Sequence, residues 1–164
     1  MIQLIVLDVD GTLSDGSLIY SNEGVELKAF NVKDGLGIAA WLKLGKKVAI
    51  ITGRESQLVK QRAEELKVTY LRQGVSDKAK ALEEILKESH LTLKEVAAIG
   101  DDLNDLNLLR LVKYSFAPCD AVKEVKQSVH KVLKCKGGKG AVRKMINQLI
   151  KKEKLQAKLY EIFA

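Results

Sequence analysis

Six short apolar runs recur along the chain, and apolar positions at helical spacing fill most of the gaps between them. "QLIVLD" (3–8), "KVAIIT" (47–52), "VTYLR" (68–72), "EVAAIGD" (95–101), "KYSFAP" (113–118) and a weaker "KVLK" (131–134) read as strands. Their near-continuous apolar character is that of strands covered on both faces. "DGLGIAAWLKLG" (34–45), "ESQLVKQRAEELK" (55–67), "SDKAKALEEILKES" (76–89) and "DLNDLNLLRLV" (102–112) read as helices. Ser76 or Asp77 is the expected N-cap of the third, and Asp34 that of the first. Alternation of this kind predicts an α/β fold, a three-layer doubly wound parallel sheet with helices on both faces.

Two segments stand outside this rhythm. "SLIYSNEGVELKAFN" (17–31) alternates as a hairpin does, with "SNEG" as its turn, and is expected to overhang the strand ends as a flap. The tail from Gly140 onward reads as one basic helix over about 140–162.

The carboxyl ends of such strands are where an open α/β sheet binds its ligand. The first strand delivers Asp8, Asp10 and Thr12, the second Thr52, and the fourth Asp101 and Asp102, with Asp105 one turn later. Lys78 opens the helix after the third. Two acids one residue apart raise each other's pKa unless a cation lies between them. Carboxylates without cysteine or paired histidine favour a hard cation, and Mg²⁺ keeps positions open for phosphate oxygens. Thr52 and Lys78 can hold the remaining phosphate oxygens. One first-strand aspartate can attack phosphorus, and the other can protonate the leaving oxygen and then activate water. A calcium loop is disfavoured. In "DVDGTLSDG", Thr12 and Leu13 stand where such a loop needs an acid and a glycine, and Ile19 occupies its twelfth position. Asp15 in "SDG" reads as a turn residue.

"DVDGT", the Thr of "ITG", Lys78 and "GDDLND" together resemble the four motifs of the haloacid dehalogenase superfamily of phosphatases. The resemblance implies Asp8 as nucleophile and Asp10 as general acid/base. It implies Mg²⁺ held by the Asp8 side chain, the Asp10 main-chain carbonyl and the Asp101 carboxylate. Asp102 would stand behind these or act through water, and Asp105 would orient Lys78. Members often carry a cap domain, but the 41 residues between Asp10 and Thr52 and the 25 between Thr52 and Lys78 leave no room for one. A site without a cap is open to large substrates or closed by another subunit.

"LSDGSLIYSNEGVELKAFNVKDGLGI", "TGRES" and the late "GGKGAVR" resemble a capless branch, the phosphatases of 3-deoxy-D-manno-octulosonate 8-phosphate, over residues up to about 150. A chain of 164 residues fits a single phosphatase domain over 1–164, and the resemblance implies a homotetramer with flaps around a central axis and release of phosphate from an acid sugar of lipopolysaccharide synthesis. A phosphatase for the 9-phosphate of a nonulosonic acid is the neighbouring alternative. Because the substrate also carries a carboxylate, a second cation is expected: Arg54 first, then Arg143, with Gly137, Gly138 and Gly140 admitting a close backbone approach.

Composition narrows the setting. Hydrophobic residues make up 46% and charged residues 30% of the 164, with one proline, which suits a globular protein. No apolar run approaches the ~20 residues of a membrane helix, and the N-terminal "MIQLIVLD" shows no basic region or small-residue cleavage site of a leader. A cytoplasmic enzyme with no membrane association is therefore expected, with Cys119 and Cys135 as reduced, inert thiols. Residues 121–164 hold 12 Lys and Arg against 3 Asp and Glu. With few aromatics among those lysines, the reading is a field that attracts anionic metabolites rather than a nucleic-acid surface. A nucleic-acid end phosphatase is the remaining alternative.

Overall fold

The computed structural model describes all residues, 1–164. In chain order the elements are β1 (Leu4–Leu7), β2 (Ile19–Tyr20), β3 (Glu26–Leu27), α1 (Val32–Lys43), β4 (Lys47–Ile51), α2 (Gln57–Glu65), β5 (Tyr70–Arg72) and α3 (Lys78–Ser89). They continue with β6 (Val96–Ile99), α4 (Leu106–Leu111), β7 (Tyr114–Ala117), α5 (Lys123–Ser128), β8 (Lys131–Val132), α6 (Ala141–Lys152) and α7 (Gln156–Phe163). All six expected strands of the main sheet form, in the order β5-β4-β1-β6-β7-β8, every pair parallel.

Period-two alternation divides β1 between two cores. Ile5 and Leu7 face α1, α2 and α6, packing with Ile38, Trp41, Met145 and Ile146. Leu4 and Val6 face α3, α4 and α5, packing with Leu82, Ile85, Leu109 and Val125. The sheet is thus buried on both sides, as its apolar strands require. β1 lies between β4 and β6, so strand order reverses there, and a crevice opens beyond its carboxyl end. The 17–31 segment forms the small antiparallel pair β2–β3, and no cap domain is present. No helix is long and apolar enough to cross a membrane.

One local expectation is narrowed to a single residue and two are corrected. Asp77, not Ser76, caps α3, accepting from the Lys80 amide at 3.1 Å. Asp34 does not cap α1; Asn31 does, accepting from the Lys33 amide at 2.8 Å. Buried Asp34 instead accepts from the amides of Gly140 and Arg143, at 3.2 and 2.7 Å, and so caps α6 from a distant part of the chain. The basic tail is two helices rather than one. Lys154 adopts a left-handed φ of 57°, while the Leu155 amide donates to the Ile150 carbonyl and that of Lys154 to Lys151. This is a Schellman closure, and it turns Leu155, Leu159 and Ile162 back onto the core. The short helix α5 was not foreseen.

Candidate active site

Every strand near the switch point ends in a residue of the expected constellation. After β1 the chain turns tightly through Val9–Leu13, closed by the Ser14 amide donating to the Val9 carbonyl. Gly11 makes this turn possible. Its φ is 96°, and a Cβ there would lie 2.0 Å from an Asp101 carboxylate oxygen. The late glycines buttress the same turn from behind. A Cβ on Gly137 would lie 1.8 Å from the Gly11 carbonyl oxygen, and the Gly138 amide donates to the Thr12 carbonyl at 2.9 Å. The close approach expected of these glycines is therefore to the chain's own loop. Asp15 is a turn residue as read, accepting from the Ser17 amide at 3.0 Å.

Lys78 is the hub of the buried charges. Starting α3, it has a side chain only 2% exposed, and its Nζ lies 2.6 Å from both Asp8 Oδ1 and Asp105 Oδ1. The other oxygen of Asp105 accepts from the amides of Asp101 and Asp102, at 2.9 and 3.3 Å. Thr12 Oγ1 donates to Asp101 at 3.2 Å. Oxygens of Asp8, Asp101 and Asp105 all lie within 4.8 Å of one another. Since Asp105 is committed through both its oxygens, Asp8 and Asp101 are the carboxylates free to take a cation.

The electrostatics express the same arrangement. Burial, followed by repulsion from Asp105, pushes the Asp8 carboxyl well above its ordinary value, against the pull of Lys78. Burial and Asp105 likewise push Asp101 up to about 6. Burial alone would lower Lys78, but Asp8 and Asp105 together outweigh it and hold the ammonium above its usual value. Three carboxylates around one ammonium leave the cluster short of positive charge. A donor set made only of oxygens suits a hard divalent ion such as Mg²⁺.

Asp10 points elsewhere. Its carboxylate pairs with Lys28 from β3's end of the flap and lies 4.0 Å from Arg54 Nε. A cavity of about 200 Å³ opens between these groups, lined by Asp8, Asp10, Thr52, Gly53, Arg54, Asp102 and Asn104. The structure thus brings Asp8, Asp10, Thr52 and Arg54 to one cavity, with Lys78 and Asp101 directly beneath through their contacts with Asp8 and Thr12. Arg54 also donates to Tyr20 Oη at 3.1 Å and pairs with Glu26 at 3.5 Å. Glu26 in turn accepts from Ser56 Oγ at 2.8 Å, which latches the flap across the strand ends. Arg143 is absent from this constellation: its guanidinium donates to Asn147 and to the Lys33 carbonyl. Asp102 caps the turn after β6, accepting from the Leu103 amide at 2.7 Å.

Lys28 and Asn104 are the lining and contact residues the sequence reading missed. Asn104 lay within the quoted "GDDLND"; Lys28 carried no local signal, because only the hairpin's placement brings it to Asp10. Its side chain is 1% exposed. A Lys28→Met variant is expected to fold normally yet lose on the order of tenfold in kcat/KM, because Asp10 and the flap lose a shared anchor. Steady-state kinetics beside a thermal melt checks this.

Residues 71–146 match the model of the haloacid dehalogenase-like hydrolases, the class to which this sheet and carboxylate cluster point. A 3-deoxy-D-manno-octulosonate 8-phosphate phosphatase of Yersinia pestis is 44% identical over 91% of this chain and 80% of its own length. The crystal structure of the phosphatase of that name from Moraxella catarrhalis, in complex with magnesium, phosphate and KDO, superposes with a TM-score of 0.95. It is 38% identical, with 99% of this chain and 94% of that one covered. The cobalt-bound form of the Haemophilus influenzae phosphatase gives a TM-score of 0.88 at 37% identity, covering 92% of this chain and 88% of that one. The chain belongs to the 3-deoxy-D-manno-octulosonate 8-phosphate phosphatase family of haloacid dehalogenase-like hydrolases.

Proposed function

We propose that this chain is a Mg²⁺-dependent phosphatase that hydrolyses 3-deoxy-D-manno-octulosonate 8-phosphate to the free sugar acid and phosphate, in the cytoplasmic part of lipopolysaccharide synthesis. The observation that carries the chemistry is the Asp8 carboxylate, 2.6 Å from buried Lys78 and clustered with Asp101 at the carboxyl end of β1. The substrate assignment is supported by the relatives' names and by the magnesium, phosphate and KDO bound in the Moraxella structure.

An Asp8 oxygen attacks phosphorus, and the bond from phosphorus to the sugar oxygen breaks as Asp10 gives that oxygen a proton. Asp10 then takes a proton from water, whose oxygen attacks phosphorus and releases Asp8 and inorganic phosphate. Lys78 balances charge at Asp8 and the phosphoryl oxygens throughout, and Thr52 binds one of those oxygens. Asp105 positions Lys78. Arg54, exposed on the rim beside Asp10, takes the substrate's carboxylate. Asp8, the Asp10 carbonyl and Asp101 would hold Mg²⁺, which supplies positive charge for the phosphoryl group.

Metal and pH act on one another here. Asp8 and Asp101 have raised values, so the metal-free fold binds more protons than the unfolded chain. Their contribution is fully present below the unfolded value and is lost as pH rises through the folded value, about 6 for Asp101. In EDTA, the melting temperature is expected to fall by a few degrees, on the order of 5 °C, between pH 5 and pH 7.5. Mg²⁺ should restore it at the higher pH and have little effect at the lower. Calorimetric melts with and without metal test both signs.

The flap leaves Leu18, Ile19, Tyr20, Val25 and Leu27 about half exposed, beside a site that has no cap. We read these as the contacts of a homotetramer. Ile19→Lys is expected to dissociate it, as sedimentation velocity would register. The activity is tested by phosphate release from a panel of acid-sugar phosphates with Mg²⁺. Preference for the eight-carbon 8-phosphate is expected. Preference for a nonulosonic acid 9-phosphate, or for phosphorylated oligonucleotide ends, would overturn the assignment.

A further inference from the structure

A second cavity, larger than the one at the carboxylate cluster, lies elsewhere in the molecule. It has a volume of about 770 Å³ and lies where the β7–β8 edge of the sheet meets α6. Tyr114 and Lys131 begin their parallel strands, and Gln148, Lys151 and Lys152 lie in the last half of α6. The cavity therefore runs along the β7–β8 edge of the sheet under α6, and β6 and β7 separate β8 from the strand that carries Asp8. The two cavities share no lining residue.

Its walls divide into two kinds. Tyr114, half-buried, is the accessible aromatic of the floor, with Phe116 and Leu149 buried beneath it. Lys131, Lys144, Lys151, Lys152 and His130 supply the rest with Gln148, and no acidic residue lines it. Lys144, Gln148, Lys151 and Lys152 follow one stripe of α6, beside the stripe that buries Met145, Ile146 and Leu149. None of the four lysines forms an ion pair with an acidic side chain, as is usual for the exposed lysines of this chain. Lys152 sits 4.3 Å from the Tyr114 ring centroid, holding its charge at the cavity mouth. His130 is fixed as well: its Nδ1 accepts from the Ser115 amide at 3.1 Å, leaving Nε2–H as a donor without a protein partner.

Lysines in a helix's last turn offset its dipole, which accounts for Lys151 and Lys152. It does not account for Lys144 near the start of α6, or for Lys131 and His130 on the sheet edge. All four lysines are solvent-exposed, and clustered around one concavity they make a local positive field that draws anions. The volume falls within the range of small-molecule sites, and the floor suits a planar apolar group.

We propose that this cavity is a second ligand site for a nucleoside polyphosphate, with the phosphates among Lys131, Lys144, Lys151 and Lys152 and the base on the accessible part of Tyr114, Lys152 turning from the ring to a phosphate. The basic tail, which the phosphatase chemistry does not use, then serves recognition of an anion remote from the reacting centre.

Isothermal titration of the full chain with ATP, in EDTA so that no metal takes part, tests the site. One saturable site per chain is expected, weakening at high salt. Lys131→Glu with Lys144→Glu should weaken it at least tenfold, and Lys131→Gln with Lys144→Gln by less, while melting temperature and sugar-phosphate turnover stay as in the parent. Tripolyphosphate should bind more weakly than ATP, and Tyr114→Ala should narrow that difference. Absence of saturable heat, binding unmoved by the lysine variants, or affinity that grows with the length of an oligonucleotide instead of saturating with the mononucleotide would overturn the proposal. Because the readout is binding, it stands or falls separately from the phosphatase reading.

Discussion

Asp8→Asn is expected to lower turnover by at least about 10⁴-fold, because an amide oxygen is too weak a nucleophile to take the phosphoryl group and cannot leave it as a carboxylate does. The same substitution should not weaken the metal-free fold. Burial and Asp105 raise the Asp8 carboxyl more than Lys78 lowers it, so its ionised form is disfavoured where it stands. Asparagine keeps the shape and an acceptor for Lys78 without that charge. A melt in EDTA should therefore show equal or greater stability at neutral pH. Mg²⁺ should no longer raise it to the parent's extent. Lost activity with retained stability separates a chemical role from a folding defect.

Lys78→Met is expected to fail in both respects. The ammonium is the only cation paired with Asp8 and with Asp105, and removing it leaves two buried carboxylates facing each other. Breaking a buried ion pair from one side costs about 3 kcal/mol or more, and one of the acids must then take up a proton. Denaturant unfolding at neutral pH should show that loss, with part of it recovered as pH falls and the acids protonate. Turnover should fall by about 10²–10³-fold through lost charge at the phosphoryl oxygens. Lys78→Arg should not restore it, since the pocket is closed around the side chain and a planar guanidinium cannot point-bond both partners in the same way.

The sheet was legible because its signal is redundant. The four central strands, β4, β1, β6 and β7, are apolar runs buried on both faces, and those at the site end in Thr, Asp or Gly. The site was legible for a related reason: Asp8, Thr52 and Asp101 sit at strand ends, so the strand pattern alone places them together. What the sequence concealed depends on long-range docking. Asp34 looks like a cap for its own helix but serves α6, more than a hundred residues away. Lys28 reaches Asp10 only because the flap folds back over β1. Arg143 sits among glycines suggestive of a ligand, yet its guanidinium turns to Asn147 and Lys33. The break between α6 and α7 has no glycine or proline to announce it: Lys154 takes the left-handed position a glycine usually fills. The strain there is offset by Leu155, Leu159 and Ile162 reaching the core. Helix α5 buries only Val125, too little for a periodic pattern.

The phosphoryl group's passage through Asp8 is most directly tested by trapping it. Acid quenching of the Mg²⁺-loaded protein during turnover of 3-deoxy-D-manno-octulosonate 8-phosphate, followed by borohydride reduction and peptide mapping, should convert residue 8 from aspartate to homoserine. An unmodified residue 8 while phosphate is being released, or reduction at residue 10 instead, would contradict the account.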